Sequence, residues 1–89
     1  TMESLKILRN FECQICKTKI LKADGSFYIE ASHIEAKKDK GTEMPDNLLI
    51  LCPNHHKEFD LGKKKIIEHT KEKIIFELND KRYNIPIGI

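Results

Sequence analysis

Residues 47–62 read Asn47-Leu48-Leu49-Ile50-Leu51-Cys52-Pro53-Asn54-His55-His56-Lys57-Glu58-Phe59-Asp60-Leu61-Gly62, and this stretch decides the fold. Four consecutive large apolar residues bounded by polar ones are the length of a buried strand. Pro53 stands where a helix favours its first residue, and Gly62 where a helix stops. The spacing therefore predicts a strand over 48–51, a helix over 53–61, and a metal-binding residue type, Cys52, at the junction. Within the helix, Cys52-x-x-His55 forms a short ligand pair, and His56 follows at once. Adjacent helical residues point about 100° apart, so His55 and His56 face two different sites.

Working outward, the partner of the Cys52/His55 pair lies near the N-terminus, at Cys13-x-x-Cys16. Two ligands separated by two residues reach one ion from a tight turn. Two such pairs close a tetrahedron of thiolate and imidazole donors around Zn²⁺. With all four positions filled by Cys13, Cys16, Cys52 and His55, this ion is expected to be structural. The chain has 3 cysteines, an awkward number for a disulfide framework, and the Cys-x-x-Cys pair lacks the strand–motif–helix surroundings of a redox pair. The need for a staple follows from size. A chain of 89 residues, 39% apolar, 34% charged and without Trp, forms one domain with too little core to be stable without support.

Upstream, residues 26–33 (Ser-Phe-Tyr-Ile-Glu-Ala-Ser-His) read as a strand, and 36–47, with Gly41 and Pro45, as a loop. A short amphipathic helix is predicted over 2–9 and a cysteine loop over 11–25. Three short strands are expected over 65–68, 73–78 and 82–87, forming a small antiparallel sheet. His69 falls in a predicted turn and is read as incidental. The longest apolar stretch, 48–52, is strand-length, so no membrane span is expected. With no secretory segment visible, a reducing, cytoplasmic compartment is anticipated. The net charge is +2, from 16 Lys and Arg against 14 acids, a balance that neither requires nor forbids nucleic acid. Lysines cluster at 17/19/22, 37/38/40 and 63/64/65, and such clusters suit phosphate contacts. Thr1 ahead of Met2 looks like a cloning remnant.

Glu30-Ala31-Ser32-His33-Ile34, followed by Asn47 through His56, resembles the HNH nuclease motif. In that family histidine, asparagine and histidine sit on two strands and a helix that grip one divalent ion. Lys57-Glu58-Phe59-Asp60-Leu61-Gly62 is similar to the HNH branch whose helix ends in a Phe-Asp-x-Gly run. The resemblance spans 13–62. It implies an α+β fold, a small zinc-stabilised ββα-metal domain over 1–89 with a short N-terminal helix and additional C-terminal antiparallel strands. It also implies a metal-dependent endonuclease that hydrolyses DNA phosphodiester bonds.

By that resemblance His33 is the general base, His56 a ligand of the catalytic ion, and Asn47 either orients the base or coordinates the ion. Many members carry Asp or His just before the base; Ser32 stands there instead, and Glu30, on the same strand face, is a candidate substitute ligand. Mg²⁺ or Mn²⁺ suits an oxygen-rich shell, while a histidine also admits Ni²⁺ or Zn²⁺. No dedicated reading helix is visible. The expected setting is thus the cleavage domain of a restriction-type enzyme, with recognition supplied by a module elsewhere in a larger protein. The lysine loop 37–40 and the C-terminal strands are expected to line the DNA, and double-strand cutting suggests a homodimer. Two alternatives are a non-enzymatic zinc module that docks nucleic acid or protein, and a colicin-like toxin nuclease with an acidic immunity partner.

Overall fold

In the computed structural model, residues 2–35 and 44–88 are described; the lysine loop 37–40 lies outside them. The apolar run forms the strand β4 (Leu48–Leu51), as expected, and all four residues are at most 1% exposed. At roughly 1.5–3 kcal/mol for each fully buried Leu or Ile, this strand anchors the core. It pairs antiparallel with β3 (Glu30–His33), in the register Glu30↔Leu51, Ala31↔Ile50, Ser32↔Leu49 and His33↔Leu48. On its other edge Gln14 acts as an extra rung. The Gln14 amide donates to the Ile50 carbonyl at 2.9 Å, and the Ile50 amide donates to Gln14 Oε1 at 2.8 Å.

The strand anticipated over 26–33 is divided at Ile29, which is 2% exposed. Before it, β2 (Phe27–Tyr28) forms a hairpin with β1 (Ile20–Leu21); β1 had no counterpart in the sequence reading. After Ile29 the chain joins β4. The hairpin closes through Asp24, whose Oδ1 accepts from the Ser26 amide and hydroxyl, and through Gly25 at φ 89°.

The helix α2 (Pro53–Leu61) follows β4 directly. Cys52 caps it, its sulfur accepting from the His55 amide. Gly62 ends it for a reason of space: a Cβ there would lie 2.7 Å from the Glu58 carbonyl oxygen and 2.8 Å from Asn79 Nδ2. Phe59 is the fully buried side chain of α2 and meets Phe76 edge-on, with ring centroids 5.3 Å apart. A short helix α1 (Met2–Leu8) buries Leu5, and Arg9 just beyond it donates to the Ile87 carbonyl at 3.0 Å.

The C-terminal third is the antiparallel meander β5 (Lys64–His69), β6 (Lys73–Leu78) and β7 (Lys81–Pro86). The β6–β7 turn uses Asn79 and Asp80, both at positive φ, the two-residue geometry that matches strand twist. Alternation on β6 buries Ile74, Phe76 and Leu78. Register shifts between Ile66 and Glu68, a bulge in β5. Gln14 Nε2 reaches the Pro86 carbonyl at 3.3 Å, tying this sheet to the cysteine loop. No described helix is long and apolar enough to cross a membrane.

Candidate metal centre and active site

Four of the sequence-predicted ligands converge. The donor atoms of Cys13, Cys16, Cys52 and His55 all lie within 4.8 Å of one another. Cys13 Sγ is 3.7 Å and Cys52 Sγ 3.3 Å from His55 Nδ1, and Cys16 Sγ is 3.8 Å from Cys52 Sγ. In a tetrahedral zinc site with ordinary bond lengths, ligand atoms sit roughly 3.6–3.8 Å apart. The spacing is also far beyond a disulfide bond, and all three cysteines are free. Burial raises the Cys16 thiol, but hydrogen bonding with Thr18, Cys13 and Cys52 outweighs it and brings the group down to about 6. Burial pushes the Cys52 thiol up, an effect that a bound cation would offset. The residues fit zinc.

Behind the ring, His55 Nε2 is 4.0 Å from Glu58 Oε1, and Asn79 Nδ2 donates to Glu58 Oε2 at 2.9 Å. Such carboxylates hold a metal-bound imidazole in one tautomer.

The other face of α2 carries His56. Its Nδ1 is 2.6 Å from Glu30 Oε1 on β3, and its Nε2 is 3.4 Å from Asp60 Oδ2 one helical turn on. Tyr28 donates to the second Glu30 oxygen at 2.6 Å. The Tyr28 hydrogen bond first, and the His56 contact second, hold the Glu30 carboxyl below its ordinary value; the same bond raises the Tyr28 phenol. Metal-ligating histidines commonly donate one ring N–H to a carboxylate, leaving the other nitrogen for the ion. Glu30, His56 and Asp60 have that donor set. The sequence singled out Glu30 and His56; Tyr28 and Asp60 went unassigned.

His33 is the last residue of β3 and pairs with Leu48, three residues along from Glu30, which reaches α2. Its Nε2 and the neighbouring Ser32 Oγ are buried atoms with no hydrogen-bond partner among the described residues. Asn47, 2% exposed, pins the chain just beyond His33. Its Oδ1 accepts from the Glu35 amide at 3.0 Å, its Nδ2 donates to the Glu35 carbonyl at 3.2 Å, and its own carbonyl accepts from Ile34 N at 2.9 Å. His33, Asn47 and His56 thus lie on adjoining elements, with no hydrogen bond between the two imidazoles. His69 is the last residue of β5 and not part of a turn; its ring contacts Glu35 and the Asp46 carbonyl.

An antiparallel strand pair leading into a helix, stapled by a Cys₃His cluster and carrying a second histidine on that helix, is the ββα-metal class of nuclease domain. The family model for HNH endonuclease matches residues 13–63, more than half of the chain, and the protein belongs to the HNH endonuclease family. Membership removes the non-enzymatic zinc module as a reading. Among solved structures, the chain is similar to one titled a modification dependent TagI restriction endonuclease, at 28% identity and a TM-score of 0.69. The match covers 99% of this chain and 30% of that one, so the present chain spans under a third of that protein. No curated protein matches the sequence significantly.

Proposed function

We propose that this domain hydrolyses DNA phosphodiester bonds with His33 as general base and one divalent ion held beside His56. The observation that carries the reading is the buried, unpartnered His33 Nε2 on a strand end that Asn47 braces from below. A neutral imidazole can take a proton from an attacking water near neutral pH, and no described residue competes for His33 Nε2. Asn47 is the orienter: both ends of its amide are occupied by the Glu35 backbone, which fixes the chain two residues past the base. Glu30 accepts the Nδ1–H of His56, so Nε2, beside Asp60, is the nitrogen left to hold the ion. When bound, Mg²⁺ or Mn²⁺, or Ni²⁺ or Zn²⁺ given the histidine, neutralises charge on the phosphate and the leaving oxygen. The scissile phosphate would lie across the end of β3, flanked by His33 and His56.

The likeness to a modification-dependent restriction enzyme favours a restriction-type cleavage domain over a toxin. Recognition would come from a module elsewhere in a longer protein, and cutting of both strands from a homodimer. Three reduced thiols suit a cytoplasmic setting. Plasmid nicking with added Mn²⁺ or Mg²⁺ tests the proposal. His33→Ala is expected to lower the rate by roughly 10²–10⁴-fold with zinc content unchanged; equal cutting by this variant sinks the assignment.

A further inference from the structure

We propose that His69 is a positioning residue for the nuclease reaction, aimed by the β5 bulge to clamp both ends of the segment joining β3 to β4. The inference rests on the cleavage reading above for its catalytic consequence, and on geometry alone for the clamp.

Cross-strand partners share a face of a sheet. On β5, Lys64 faces Leu78 and Ile66 faces Phe76, and these β6 residues are fully buried. Regular alternation would next turn Glu68 inward and His69 outward. The bulge absorbs Ile67, which is 41% exposed. Beyond it Glu68 pairs with Ile75 and His69 with buried Ile74. The one-residue slip sends a carboxylate out and an imidazole in, which is a recognised use of a bulge beside a functional site.

Turned inward, the His69 side chain is 7% exposed. Its Nδ1 is 2.7 Å from Glu35 Oε2, and its Nε2 meets the Asp46 carbonyl oxygen. The ring is thus a two-pronged bridge, one nitrogen to each partner. Glu35 and Asp46 lie on the two limbs of one segment. Asn47 already joins these limbs from within, through the Glu35 backbone and the Ile34 amide. His69 joins them from outside, from a different sheet, two residues beyond His33. An ordinary surface ion pair would use one ring nitrogen and need no break in a strand's ladder.

The test compares this chain with His69→Ala, His69→Gln and, as a control that removes the bulged residue but keeps His69 facing inward, a deletion of Ile67. For each, plasmid-nicking kcat and KM, zinc content, melting midpoint and amide exchange at Glu35 are measured. For His69→Ala we expect kcat to fall roughly 10–100-fold, the cost of a base misplaced by about an ångström. KM and zinc content stay near wild type, and the Glu35 amide exchanges about tenfold faster. The Ile67 deletion, which leaves His69 opposite Ile74 and facing inward, should stay near wild type in kcat and Glu35 exchange, and His69→Gln, which keeps one prong, should fall between wild type and His69→Ala. Unchanged Glu35 exchange overturns the clamp. So does wild-type kcat in His69→Ala, or a loss that only tracks the melting midpoint. If the unaltered chain cuts no DNA with any divalent metal, the cleavage reading fails, while Glu35 exchange still decides the clamp.

Discussion

Glu30 Oε1 lies 2.6 Å from His56 Nδ1, so a strand residue holds the ring of a helix residue by one nitrogen while the other faces Asp60. Removing that orienting carboxylate by Glu30→Gln should weaken Mn²⁺ activation about 10–100-fold, since an amide can present its NH₂ to Nδ1 and reverse the tautomer. The measurement is the Mn²⁺ concentration at half-maximal nicking. A midpoint equal to wild type would show that Glu30 does not govern the ion.

The Cys₃His cluster should control folding. Zinc binding in small peptides contributes about 10–16 kcal/mol, against a total stability of about 5–15 kcal/mol for an ordinary domain. Stripping the ion with a strong chelator is therefore expected to abolish the cooperative melt seen by circular dichroism, and Zn²⁺ to restore it. A stripped chain melting at the original temperature would contradict this.

Asn47→Ala should destabilise the domain by about 1–3 kcal/mol, because the Glu35 amide and carbonyl lose their partner. For a domain of this size that lowers the melting midpoint by roughly 5–20 °C. Asn47→Asp should recover part of the loss: its carboxylate still accepts from the Glu35 amide but cannot donate to the carbonyl. Thermal melts of the zinc-loaded variants rank the three, and alanine equal to wild type would refute the bracing role.

Asp24 provides a titration with a clear sign. The Ser26 hydroxyl first, then the Ser26 amide, holds its carboxyl below the ordinary value. A lowered folded value contributes stability that is present above the unfolded value, about 3.9, and is lost as pH falls through the folded one. Ser26→Ala should move the Asp24 titration upward toward the ordinary value, read by carbon NMR of its carboxyl. A downward or absent shift would contradict the assignment.

The zinc ligands, β4 and α2 were legible because their signals are local: ligand pairs two residues apart, an apolar run, a proline at one end and a glycine at the other. The hairpin β1–β2 was not, because two-residue strands carry no periodicity, and the break at Ile29 depends on which partner each half finds. Tyr28 and Asp60 acquire meaning only when β3 meets α2. His69 was the least legible. Its direction depends on a register slip against β6, and its partners lie 34 and 23 residues away.

His55 and His56 are consecutive, yet His55 faces the cysteines while His56 faces Glu30 and Asp60. Both sit in the first turn of α2, so a shift of that turn carries both rings. Were a substrate to draw that turn toward a phosphate, the thiolate cluster would shift with it, and a probe ion such as Co²⁺ seated among the cysteines would report DNA engagement as a change of colour, before any bond is cut.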